Sequence, residues 1–217
     1  MSEARIYPLG DTALVCEAPG PATLDCQRRV WALAELAQAW PQVLEVVPGM
    51  NNLTLTFDPL EADRDALAEQ LAAGWQSAAG AAAPGREVEI PVRYGGEHGP
   101  DLADVAKHTG LSPREVAERH AAGEYIVFFL GFQPGFAYMG GLDHALHTPR
   151  RASPRLEVPA GSVGIGGEQT GVYPAASPGG WQLIGRTDVT LFDPSKRPAT
   201  LLQPGDRVRF TIAEVDA

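Results

Sequence analysis

Cysteine, positive charge and long apolar runs are all scarce in this chain, and each scarcity excludes a class of protein. Two cysteines in 217 residues, Cys16 and Cys26, are too few to staple a fold of this size, so both thiols are expected to be core or half-buried residues. No apolar run approaches the ~20 residues that a spanning helix requires; the longest, Tyr125 to Leu130, has the length of a strand. No membrane span is expected. Lys and Arg number 17 against 27 Asp and Glu, a formal charge of −10, which sets most of the surface against a phosphate backbone and makes nucleic acid an unsuitable partner. The opening Met-Ser-Glu-Ala-Arg lacks the basic start and apolar stretch of an export signal, so the expected location is the cytoplasm.

A composition of 44% hydrophobic and 20% charged residues is enough to bury a core, and at ~100–200 residues per domain the length suits two small domains. The boundary is predicted at Ser77 to Gly85, SAAGAAAPG, where small residues without periodicity form a linker. Residues 1–85, linker included, then form an N-terminal α/β domain, and 86–217 a second domain. In the first, Ile6 to Glu17 reads as a strand broken by Pro8 and Gly10, and Thr23 to Trp40 and Asp63 to Trp75 as amphipathic helices. Val43 to Val47 and Leu53 to Phe57 form a hairpin around Pro48 to Asn52. The order β-α-β-β-α, completed by a strand after the linker, predicts a ferredoxin-like layer. In the second domain, Glu87 to Tyr94 is a strand and two short helices follow, Asp101 to His108 and Pro113 to Ala122. Ser112-Pro113-Arg114-Glu115 reads as a capping box with proline at the first helical position, and Gly123 as a left-handed stop. From Glu124 onward, short strands including Tyr125–Phe129, Gln182–Ile184, Thr200–Leu202 and Arg207–Ile212 alternate with Gly/Pro turns, the pattern of a barrel or sandwich.

Residues 123 to 185 hold 13 of the 24 glycines and 6 of the 19 prolines, so this stretch demands unusual backbone and carries the candidate site. Gly131 to Tyr138, GFQPGFAY, sets an amide among aromatic rings in a tight turn; the rings either wall a pocket or plug a barrel end. Between Ala145 and Thr187 stand Arg150, Arg151, Arg155 and Arg186 against only Glu157 and Glu168. Such local reversal of sign in an acidic chain suits a small anionic substrate, because guanidinium forks grip carboxylates and phosphates at two points. The glycine-rich Gly161 to Gly171 invites a phosphate-loop reading, but it lacks the lysine and the following helix of a P-loop; turn chemistry competes with an adapted anion loop. Ser162 is not in a nucleophile elbow. His144 and His147 lie three apart with no third ligand set by spacing, so no metal site is expected. His120, in the last turn of its helix, is placed where the dipole favours the imidazolium, which suits acid/base or anion-holding work as well as simple capping.

Three segments together carry a family resemblance: Phe128-Phe129-Leu130-Gly131-Phe132-Gln133-Pro134-Gly135-Phe136; Pro149-Arg150, Pro154-Arg155 and Val158 to Gly164; and Tyr173-Pro174, Ser177 to Trp181 and Ile184 to Thr187. In order and spacing the chain resembles the KipI/PxpB family, also described as the 5-oxoprolinase B subunit, allophanate hydrolase subunit 1-like or carboxyltransferase domain C/D. Asn52-Leu53 and Ala121 depart from residues common in that family, in its weaker-matching first half and after the helix-ending histidine. The resemblance implies an α+β chain, a small ferredoxin-like α/β domain followed by a cyclophilin-like β-barrel from about Glu87. It implies a component of an ATP-dependent 5-oxoprolinase that opens 5-oxo-L-proline to L-glutamate with KipA/PxpC-like and PxpA-like partners, using ATP with Mg²⁺ and silent alone. The alternatives are a KipI-like inhibitor of a sensor histidine kinase and an allophanate hydrolase or urea amidolyase-related subunit, although the chain has no Met-Lys-Met biotin motif. On this reading Arg150 and Arg155 bind an anion, Gln133 and Gln169 orient the amide, and His120 moves a proton or holds phosphate. Phe136, Tyr173, Gly179, Gly180, Trp181 and Arg186 complete the substrate pocket.

Overall fold

A computed structural model describes residues 3–78 and 85–216. The chain divides into two compact units, 1–84 and 85–217; most of the linker expected at 77–85 lies outside the described residues.

The first unit begins with a hairpin, β1 (Arg5–Pro8) and β2 (Ala13–Glu17), followed by α1 (Leu24–Gln38), β3 (Val43–Gly49), β4 (Asn52–Phe57) and α2 (Arg64–Ser77). The Thr23 and Asp63 side chains accept from first-turn amides and so fix where each helix starts. In β4, Leu53, Leu55 and Phe57 are buried at strict two-residue spacing, and they meet Val30 and Leu33 of α1 and Leu67, Leu71 and Trp75 of α2. The sheet order is β1-β2-β4-β3, with every pair antiparallel. The expected fourth strand after the linker is not part of this sheet. Instead β1 occupies that edge, because Gly10 adopts a φ of 64° and folds the Ile6–Glu17 segment back on itself. Cys16 is buried and Cys26 half-buried, both free thiols.

The second unit contains β5 (Glu87–Gly95), α3 (Leu102–Thr109), α4 (Pro113–Ala122), β6 (Tyr125–Leu130) and β7 (Ala137–Gly140), then a 3₁₀ turn at His144–Leu146. There follow β8 (Arg155–Val158), β9 (Ser162–Gly166), β10 (Gln169–Val172), β11 (Ser177–Gly179), β12 (Gln182–Arg186) and β13 (Arg207–Asp216). Seven strands close a barrel in the order β10-β7-β6-β13-β5-β12-β9, while β8 and β11 form a separate ribbon. Ile90, Val92, Val127, Met139, Val163, Ile165 and Phe210 fill the barrel. Closure leaves no unpaired strand edge within the barrel itself. Helix α4 carries the expected capping box. Gly123 is not its left-handed stop: its φ is −69°, and a Cβ there would lie 2.6 Å from the Tyr125 ring, so close approach explains the glycine. The strand expected at Thr200–Leu202 is reduced to a single bridge between Thr200 and Phe192. No helix among the described residues is long and apolar enough to cross a membrane.

Candidate functional site

The glycine-rich stretch is the β9–β10 hairpin, and its glycines make room for rings. Gly166 lies under Trp181, where a Cβ would come within 2.5 Å of the indole; Gly179 lies against Tyr173, where a Cβ would come within 2.6 Å of the ring hydroxyl. With the amides of β9 and β10 committed to strand pairing and Ser162 to Gly166 buried, the adapted anion loop is excluded. The space they clear holds the buried rings of Phe136, Tyr173 and Trp181, none more than 5% exposed, together with half-buried Tyr138, with ring centroids 5.2 Å apart for Phe136–Tyr173, 5.5 Å for Phe136–Trp181 and 6.0 Å for Tyr138–Trp181. Edge-to-face contacts of this kind fix ring orientation. The Tyr173 hydroxyl is pushed up from its ordinary range, chiefly by burial, against an opposing hydrogen bond from the Trp181 backbone and the nearby Arg150 charge. Gly166→Ala is expected to displace Trp181 and cost about 1–3 kcal/mol, the usual range for overpacking. Denaturant titration measures the cost, and a shift in tryptophan emission reports the displaced indole.

The strongest electrostatic feature is a carboxylate that sequence reading treats only as a helix start. Asp101, 2% exposed, accepts Arg155 Nη1 at 2.8 Å and Nη2 at 2.7 Å, Arg151 Nη1 at 2.9 Å and the Leu183 amide at 2.7 Å. It ties the start of α3 to the 149–155 loop and to β12. This corrects the role expected for Arg155. Its two terminal nitrogens already hold an internal carboxylate, so it is a structural partner rather than a receptor for a substrate anion.

Arg150 is different. It is exposed, and its guanidinium stands over Trp181, 5.8 Å from the ring centroid. It also lines a cleft of about 540 Å³, with Asp104 and His108 of α3, its neighbours in 148–153 and Gln182. Arg151 also lines this cleft; its Nε is buried without a hydrogen-bond partner.

The remaining predicted residues divide between this face and elsewhere. Gln169, on β10, has a buried Nε2 with no partner, and Gln133 Nε2 donates to the Ala175 carbonyl at 3.3 Å. The Gly180 carbonyl accepts the Arg151 amide at 2.7 Å, which makes it part of the loop anchor. Arg186 Nε donates to the Ala160 carbonyl at 3.0 Å, so it braces a turn.

His120 is a correction. Its ring is completely buried, with Nδ1 2.8 Å from Tyr94 Oη and Nε2 2.8 Å from Thr170 Oγ1. Thr170 donates its single hydroxyl proton to the Gly164 carbonyl at 3.0 Å, so toward His120 it accepts, and the ring carries its proton on Nε2. Nδ1 then accepts from Tyr94, and the chain of donors runs in one direction with every partner satisfied. Phe210 packs 4.5 Å from the ring. Burial pulls the pKa down to about 3, overriding the helix-dipole effect that was expected to favour the imidazolium. A neutral, enclosed imidazole has no access to substrate. Among the described residues, no three His, Cys, Asp or Glu side chains come together as a metal site.

Residues 4–202 match the family model described as carboxyltransferase domain, subdomain C and D. The chain is 55% identical to the B subunit of 5-oxoprolinase from Escherichia coli O157:H7 over 97% of its own length and 96% of that protein. It is 49% identical to the B subunit of 5-oxoprolinase from Haemophilus influenzae over 98% of its length and 99% of that protein. Urea amidolyase of Saccharomyces cerevisiae is a distant, partial match, 32% identical over 49% of this chain and 6% of that one. Among solved structures, TTHA0988 superposes with a TM-score of 0.81 at 40% identity, covering 93% of this chain and 40% of that one. The matched model spans most of the sequence and half-identical relatives align along nearly all of it, so the chain belongs to the carboxyltransferase domain C/D family, the KipI/PxpB family that its motifs resemble.

Proposed function

We propose that this chain is the B subunit of an ATP-dependent 5-oxoprolinase, which opens 5-oxo-L-proline to L-glutamate in the cytoplasm and is inactive without its KipA/PxpC-like and PxpA-like partners. The observation that carries the reading is the 55% identity to a 5-oxoprolinase B subunit over almost the full length of both proteins. On the same reading the first unit is a ferredoxin-like variant whose edge strand comes from the N-terminal hairpin, and the barrel is cyclophilin-like.

The chemistry explains the need for ATP. A lactam is resonance-stabilised and hydrolyses poorly, so transfer of the γ-phosphoryl group to its carbonyl oxygen, with ADP leaving, creates a leaving group and a carbon open to water. The protein must then hold oxyanions and exclude bulk solvent. In this chain Arg150 is the guanidinium suited to that task, the buried Phe136, Tyr173 and Trp181 rings form the apolar support on which it rests, and Gln169 and Gln133 supply amides to orient the substrate. Mg²⁺ enters with ATP as a co-substrate complex.

Reconstitution of the complex tests the assignment. Omitting this chain is expected to abolish 5-oxoproline-dependent ATP hydrolysis, and the chain alone is expected to show none. Undiminished turnover without it overturns the assignment.

A further inference from the structure

We propose that the cleft between α3 and the 148–153 loop is an oxyanion-binding site in which Arg150 takes the charge. This deepens the 5-oxoprolinase reading and rests on it for the identity of one candidate ligand.

Two of the three arginines in the 150–155 loop are already engaged by a carboxylate. Asp101 absorbs both terminal nitrogens of Arg155 and one of Arg151. Arg150 adjoins Arg151 in the chain, is exposed, and among the described residues makes no ion pair; its contact is with the face of Trp181. A second positive charge belongs to the same wall, since half-buried Arg151 also lines the cleft. The loop is also braced. Pro149 stiffens the loop, its carbonyl accepts Gln182 Nε2 at 3.0 Å, and the Asp101 clamp holds the next residues. A cation held in place before the ligand arrives loses little freedom on binding.

The cleft has room for a small molecule. At about 540 Å³ the cleft falls within the ~300–1,000 Å³ typical of small-molecule sites. Because Gln182 directs its amide nitrogen at the loop, its Oε1 is left as an acceptor beside the cations, and Asp104 is a second acceptor. That combination suits an oxyanion whose molecule also carries an N–H, as an acidic lactam does. The oxyanion is either the carboxylate of such a substrate or a phosphate group, and these share one chemistry.

The test is calorimetric titration of the full chain with 5-oxo-L-proline, with 2-pyrrolidinone, which has the ring but no carboxylate, and with inorganic phosphate. Arg150→Gln is the test variant, and Arg209→Gln, at an exposed position of β13 outside the cleft, is the control. At least one oxyanion is expected to bind the parent chain, about ten- to a hundredfold more weakly in Arg150→Gln, the range for losing one hydrogen-bonded charge, and with little change in Arg209→Gln. 2-Pyrrolidinone is expected not to bind. Binding of 5-oxo-L-proline alone assigns the cleft to substrate carboxylate, binding of phosphate alone assigns it to a phosphoryl group, and both outcomes support the site. No oxyanion binding, equal affinity in Arg150→Gln, or equal affinity for 2-pyrrolidinone overturns it. Turnover of the reconstituted complex is read separately: turnover without Arg150-dependent binding removes the cleft alone, and binding without turnover removes the 5-oxoprolinase assignment alone.

Discussion

Asp101→Ala is expected to destabilise the barrel unit by about 3 kcal/mol, the lower end of the range for breaking a buried ion pair. The lower end applies because the two guanidiniums left behind are not fully enclosed: the Arg155 and Arg151 side chains are 23% and 33% exposed, so water recovers part of their solvation. The buried Leu183 amide loses its acceptor as well. For a unit of this size the transition should move down by roughly 10 °C. Asp101→Asn keeps the shape and one acceptor for Leu183, and is expected to cost less. Calorimetry or denaturant unfolding of both variants checks the order. Equal stability of Asp101→Ala and the parent chain would show that the clamp is not needed to hold the 149–155 loop.

Acid is expected to destabilise the same unit through His120, across a window above that of the carboxylates. The folded imidazole, held neutral by burial, accepts a proton only near pH 3, whereas the unfolded one does so near 6.5. Between those values the unfolded state binds one more proton than the folded state, so stability rises with pH at up to ~1.4 kcal/mol per unit. That contribution is complete above about pH 6.5 and is lost as the pH falls toward 3. The groups facing the ring do not titrate in this interval: burial raises the Tyr94 and Tyr125 hydroxyls far above it. Asp143 and Glu115, whose pKa values are lowered by hydrogen bonds, lose their contributions as the pH falls from the ordinary carboxylate range toward their lowered values, and do so alike in parent and variant. Unfolding free energies of the parent and His120→Gln, measured from pH 4 to 7, isolate the histidine. The parent should show about one proton's worth more slope than the variant, and parallel curves would show that His120 is solvated.

How far the sequence could be read depends on the distance over which each signal acts. The α4 capping box is written in four consecutive residues and the alternation of β4 in six, and the structure contains both. The aromatic face is legible in the sequence as a composition, glycines among rings, but not as a surface. Trp181 must meet Gly166, and Tyr173 must meet Gly179, before it is clear that the glycines serve close approach. Arg155 misleads because its partner lies 54 residues away. Asp101 sits just after Gly99 and Pro100 at a helix start, where an acid is ordinary; the three arginines of the 150–155 loop, with Glu157 as the one acid close by in sequence, hint that a distant carboxylate serves some of them. His120 misleads for the opposite reason. Its local setting, a helix C-terminus, favours the charged form, and the enclosure that reverses this comes from β5, β6, β10 and β13.

By itself, then, the sequence determined the family, the helices, most strands and the neighbourhood of the site, because those follow from patterns within a few residues of one another. Tertiary structure alone decided which arginine is free and which histidine is inert. Barrel closure brings together groups about 50 residues apart, and the electrostatic state of each depends on what the fold places within hydrogen-bonding reach and on how much water it excludes.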